Sequence, residues 1–400
     1  LITEQGKIRW FGMWNDAQDH LPANVEIQHY PEQLIIPGMI DTHIHFPQTE
    51  MVGAYGEQLL SWLNTYTFPT GIQFQDPSYA QKIAEFFIQE LLKNGTTTAL
   101  VFCTVHPESV DALFEAAAQQ QMRLIAGKVM MDRHAPEALC DTAESAYEDS
   151  KALIGKWHGQ GRALYAITPR FAPTSTPEQL ERAGQLKAEF PDVYVHTHLS
   201  ENKDEIAWVK DLFPEQKGYL DVYHHYGLTG NRSVFAHCVH LEDAEWQCMH
   251  ETDSAIAFCP TSNLFLGSGL FPLKKSWQQQ VKVGLGTDVG AGTSFSLLQT
   301  VNEAYKVQQL QGDKLSAYES LYHATLGGAK ALDLDNKLGN FNVGKEADFV
   351  VLNLKPTALQ QLRQSRAKSL EDSLFALFTM GDDRNIEATY IYGQKAYNQS

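Results

Sequence analysis

The sequence predicts an α/β fold: a (β/α)8 barrel of the TIM type with a small β domain built from both termini. Three observations predict it. Eight short apolar, β-rich runs recur at 39–43, 96–105, 123–131, 163–170, 193–198, 233–239, 254–259 and 281–288, and helical patterns separate most of them. Such alternation argues a parallel sheet with crossover helices, and eight strands close a barrel. The chain has 400 residues, enough for a barrel of roughly 250 residues plus an appendage. Both ends carry strand-like text that the barrel does not need.

The ends come first in the chain. Residues 6–12 alternate like a strand, and Pro37-Gly38 marks the entry into the barrel. At the other end, 347–352 and 386–397 read as strands, with an amphipathic helix over 369–380 between them. The expected division is 1–38, 39–338 and 339–400, the first part incomplete because it opens at Leu1 in strand-like text. Inside the barrel, 79–94 has helical spacing and stops at Gly95, a C′ glycine. Pro107 can start the next helix, because its missing N–H sits where no helical bond is made. Thr176-Pro177-Glu178-Gln179 reads as a capping box.

Composition narrows the function. With 31 basic and 48 acidic residues the net charge is −17, which disfavours nucleic acid and anionic membranes as partners. No run reaches the roughly 18 apolar residues of a membrane helix. The 20 Phe, 16 Tyr and 7 Trp exclude global disorder. The five cysteines are an odd set without a CxxC pair, and three lie in apolar runs, so they read as buried thiols in a reducing cytosol. A GxSxG elbow and a Walker loop are both missing.

The chemistry concentrates at strand ends, where barrels of this type build active sites. In Asp41-Thr42-His43-Ile44-His45, His43 and His45 share one strand face and suit a divalent metal such as zinc. The fifth run offers His196 and His198 with Glu201 beyond. His198 lies nearer the C-terminal end and is assigned as ligand, with His196 packed behind it. Glu201 is then a candidate proton shuttle. His237 ends the sixth run, and His240 beyond it is given no role. Asp288 ends the eighth run, above Gly284 and Gly286, which would leave an open floor beneath its carboxylate. It reads as a metal ligand that also accepts a proton.

The run from Pro37 to His45 resembles the amidohydrolase superfamily, and the resemblance spans nearly the whole chain. Residues 45–60, Thr65-Tyr66-Thr67-Phe68-Pro69, residues 168–174 and His198-Leu199-Ser200-Glu201-Asn202 resemble the branch that deaminates guanine. The resemblance implies a barrel with a β-sandwich from both termini. It implies one zinc per chain, held by His43, His45, His198 and Asp288. Glu201 matches the proton-shuttling glutamate and His237 a histidine near the substrate. Gln48, Arg170 and Phe171 match residues that recognise the purine. The fourth run has no lysine to bridge two metals, which favours one. The implied activity is hydrolysis of guanine to xanthine and ammonia by metal-activated water, in a cytoplasmic homodimer. Other mononuclear deaminases (of 8-oxoguanine, cytosine, an adenosine derivative or a triazine) and a metal-free scaffold are the alternatives. Two departures stand out: Thr70-Gly71-Ile72 follows the Phe-Pro stretch where an acidic residue is usual, and the first sandwich strand is missing ahead of Leu1.

Overall fold

A computed structural model describes residues 1–22, 24–55 and 59–399. Gly56, Glu57 and Gln58, within the run that carries the resemblance, lie outside the described residues. The eight runs form eight parallel strands in chain order: Met39–His45, Thr96–Phe102, Arg123–Gly127, Ala163–Pro169, Tyr194–Leu199, Ser233–His237, Ala255–Phe258 and Lys282–Leu285. First and eighth strands meet through Thr42 Oγ1 donating to the Leu285 carbonyl at 3.0 Å. Just beyond, the Asp288 N–H donates to the His43 carbonyl and the His45 N–H to the Val289 carbonyl.

The strands are buried on both faces, so they read as continuous apolar runs. Ile40, Leu100, Ile125, Ala166, Val234 and Ala257 fill the interior, and Ala329, Leu332 and Leu334 close it from the strands' N-terminal end. The opposite end is left for chemistry. The third run is broken at Lys128: a separate short strand, Val129–Met130, pairs with Thr168 and Pro169. Lys128 is buried there, its ammonium 2.6 Å from Asp141.

Helix ends follow the local chemistry. Pro77–Lys93 is capped by Asp76, which accepts the Ser78 N–H, and ends at Gly95 with φ +76°. Pro107–Gln119 begins at its proline. The capping box at Thr176 is only half formed. Thr176 Oγ1 accepts the Gln179 N–H, but Asp132 takes the Thr176 N–H at 2.7 Å, so the Gln179 side chain is not needed.

Leu34–Pro37, Phe349–Leu352, Ile386–Ile391 and Gln394–Asn398 make a four-stranded antiparallel sheet from both termini. The run 386–397 is thus two strands, turning at Tyr392 and Gly393. Lys7–Trp10 pairs with Ile2–Glu4 as its own hairpin and touches the rest through a bridge to Glu346. Helix Leu370–Met380 starts at Ser369. Arg162 and Arg123 bind Glu346, and Arg162 also binds Asp348, fastening this end to the barrel. No helix among the described residues is long and apolar enough to cross a membrane.

Candidate active site

His43 and His45 alternate with buried Thr42 and Ile44, so both imidazoles point to the same side at the end of the first strand. His45 Nε2 lies 3.2 Å from His43 Nε2, from His198 Nε2 and from Asp288 Oδ1. Asp288 Oδ1 is also 3.2 Å from His43 Nε2. Two of the remaining ring nitrogens are engaged: His43 Nδ1 with His196 Nε2 at 2.8 Å, and His198 Nδ1 with the Arg170 carbonyl at 2.7 Å. A carbonyl only accepts, so His198 carries its proton on Nδ1 and turns a bare Nε2 inward.

Asp288 does not lie on the eighth strand, which ends at Leu285; it follows in a turn with φ +51°. The glycines beneath it do not leave an open floor. A Cβ on Gly286 would lie 2.9 Å from His43 Cβ and from Cys259 Sγ, and one on Gly284 would strike Thr42. These glycines let the eighth strand press against the first. Asp41 braces the same seam, accepting from the His43 N–H and from Thr287 N–H and Oγ–H. Burial pushes its carboxyl up to about 7.

Burial keeps the His45 and His198 rings neutral. Burial, then the neighbouring His43 charge, takes His45 down to about 3 against the pull of Asp288. Burial, then His43 and His45, holds His198 well below its usual range. Burial alone would raise Asp288, but His43 and His45 outweigh it and keep the carboxylate ionised. Neutral imidazoles and an ionised carboxylate are what a divalent metal requires. Four of the six separations among these three nitrogens and one oxygen are 3.2 Å, close to the edge of a tetrahedron with metal bonds of about 2.0–2.1 Å.

His43, His198 and His237, and likewise His43, Cys259 and Asp288, offer donor atoms all within 4.8 Å of one another. The cluster matches a mononuclear zinc site. Cys259 suits it poorly: burial, then Asp288 and Asp41, push its thiol well above the usual range, so it stays protonated. His237 borders the cluster on its Glu201 side. Its Nε2 is 3.5 Å from Glu201 Oε2 and 3.8 Å from Asp288 Oδ2, and its Nδ1 meets the Asn263 side chain at 2.9 Å. Burial pushes Glu201 well above the usual carboxylate range, with Asp288 and Glu205 adding to it, which favours the protonated acid.

A small cavity opens over this cluster. His45, His198, Glu201, His237 and Asp288 line it together with Gln48, Arg170 and Phe171. His43 lies directly behind. The Gly290 N–H donates to Gln48 Oε1 at 3.0 Å, which leaves the Gln48 amide NH2 for a ligand. The Arg170 guanidinium makes no hydrogen bond among the described residues, and burial lowers it to about 10. All nine residues singled out in the sequence therefore converge. His106 and His240 do not line this cavity. Trp62, Leu266, Asn263 and Ser268 were not singled out. Their only sequence signal is that they follow strand ends.

The model of the amidohydrolase family matches residues 34–396. The chain belongs to the amidohydrolase family. Within this family, guanine deaminase of Escherichia coli (strain K12) is 64% identical over 400 residues, covering 100% of this chain and 91% of that protein. The solved E. coli guanine deaminase structure matches with a TM-score of 0.99 over 100% of this chain and 93% of that one, at 64% identity. Guanine deaminase from Bradyrhizobium japonicum, at 41% identity, matches with a TM-score of 0.96 over 100% of this chain and 92% of that one. For an amidohydrolase barrel, a metal cluster at the strand ends beside a carboxylic acid suits hydrolysis of a C–N bond.

Proposed function

We propose that the chain hydrolyses guanine to xanthine and ammonia, with one zinc held by His43, His45, His198 and Asp288. One observation carries this: the metal cluster, Glu201 and the Gln48, Arg170 and Phe171 side chains all border one cavity. Identity of 64% to the E. coli guanine deaminase supports the choice of purine. When bound, zinc lowers the pKa of a water towards 7 and so supplies a nucleophile at neutral pH.

The chain's own groups do the rest. Asp288 keeps an ionised carboxylate whose Oδ2 faces His237, and it accepts the proton the water gives up. Glu201 donates its proton to purine N3 as the attack on C2 places charge there; Asp288 then passes its proton to the C2 amine, the C2–N bond breaks to release ammonia, and Glu201 takes the hydroxyl proton as C2=O forms. His237 Nε2, buried and without a hydrogen-bond partner among the described residues, is free to stabilise the tetrahedral centre. The Gln48 amide and the Arg170 guanidinium present donors to the purine O6 and N7 acceptors, and Phe171 stacks on the ring.

Adenine would bring an exocyclic amine, itself a donor, against these donors, so it should be rejected by large factors. The test is ammonia release from guanine, adenine, cytosine and 8-oxoguanine side by side. Rapid release from guanine and little from the others is the expected result; preference for another base would overturn the purine-edge assignment. In the cell we read the chain as a cytoplasmic homodimer acting on a free base, without a nucleic-acid or membrane partner. The net charge of −17 and the family resemblance support this.

A further inference from the structure

The loop after the seventh barrel strand reaches over to the two groups that handle protons. Asn263 meets His237 Nδ1 at 2.9 Å, and Ser268 Oγ donates to Glu201 Oε1 at 3.0 Å. Ser268 is buried and held on both sides. Its N–H donates to the Asn263 carbonyl at 2.8 Å, and its carbonyl accepts from His240 Nε2 at 2.8 Å. His240 in turn donates its backbone N–H to the Ser200 carbonyl, next to Glu201. Ser200 has φ +48°, a conformation non-glycine residues adopt rarely, so the chain is turned sharply where Glu201 enters the cavity.

We propose that Ser268 is a positioning residue: its hydroxyl holds Oε1 of Glu201 so that Oε2 carries the proton and delivers it to the substrate, while His240 anchors Ser268. Among the described residues the Ser268 hydroxyl has no other acceptor, so it donates to Oε1. An oxygen that accepts in this way is the carbonyl oxygen of the protonated acid. The acid proton therefore sits on Oε2, the oxygen 3.5 Å from His237 Nε2. On transfer, the Oε2–H bond breaks, an N–H bond forms at the purine ring nitrogen, and the electron pair stays on the carboxylate. The Ser268 hydroxyl then meets the new charge with a stronger, charge-assisted bond. His240, which the sequence left without a role, becomes part of the proton-delivery apparatus.

This role rests on the deamination of guanine proposed above, and the experiment separates the two. The unaltered chain, Ser268→Ala, Ser268→Thr, Glu201→Gln and the Glu201→Gln/Ser268→Ala pair are compared for zinc content, kcat and KM with guanine. Ser268→Ala should keep its zinc, keep KM within about twofold and lose about tenfold or more in kcat. Ser268→Thr, which restores a hydroxyl, should recover most of that loss. In the Glu201→Gln background, Ser268→Ala should change nothing further, because no acid proton remains to place. Wild-type kcat in Ser268→Ala, or the same fold-loss in both backgrounds, would overturn the positioning role alone. Absence of ammonia release from guanine by the unaltered chain would overturn the deamination and this role together.

Discussion

Glu201 faces the scaffold with one carboxyl oxygen and the cavity with the other. As a general acid it should be worth roughly 10²–10⁴-fold in rate. Glu201→Gln keeps the shape and removes the acid, so it should retain its zinc and lose at least about a hundredfold in kcat. Near-normal turnover by this variant, measured as ammonia release, would remove Glu201 from the proton path. The residues legible in the sequence were those with a chemical pattern of their own, such as two histidines two apart or a histidine with a glutamate three residues on. Asn263 and Ser268 were not legible because a small polar residue after a strand looks like any loop residue. Only the fold brings them to His237 and Glu201. Gly284 and Gly286 were misread for a related reason: a missing side chain can mean room or close packing, and here Thr42 and His43 fill the space.

The helix Lys203–Leu212 shows how an element steadies the site. Asn202 caps it, and Glu205 accepts from the Glu201 and Asn202 N–H groups and from Tyr219 O–H. Burial outweighs these three donors and pushes the Glu205 carboxyl from 4.5 up to about 7. A carboxyl raised in the folded state gives stability that is whole below the unfolded pKa and lost as pH rises through the folded one. Between pH 4.5 and about 7 the chain should therefore lose on the order of a few kcal/mol through this group. Thermal unfolding of the wild type and of Glu205→Gln across that window checks it. The wild-type midpoint should fall relative to the variant, and parallel curves would contradict the shift. Strands and helix starts were legible because burial on both faces and capping residues leave local marks. The break at Lys128 was not: it depends on how two neighbouring strands register, which no single run records. Nor was the use of Asp132 in place of Gln179 at the cap.

The barrel and the terminal sheet are joined by charge as well as by apolar packing. Arg162 sits between Glu346 and Asp348 with its side chain 9% exposed, and the buried Arg123 pairs with Glu346. Removing one partner of such a group leaves buried charge uncompensated. Arg162→Ala should cost about 3–5 kcal/mol in stability, with KM for guanine unchanged. Denaturant unfolding beside steady-state kinetics would test this, and a loss below about 1 kcal/mol would show the network to be dispensable. The barrel was legible because eight apolar runs, each followed by polar or helical text, permit few other closures. The separate hairpin of Ile2–Glu4 and Lys7–Trp10 was not, since alternation marks a strand without naming its partner. The account joins one metal, one acid and one purine edge in a single cavity, so the decisive measurement is zinc titration of metal-free protein with guanine turnover as the readout. Turnover should be absent without metal, rise in proportion to added zinc and level off at about one ion per chain. Full turnover by the metal-free chain, or none at saturating zinc, would contradict it.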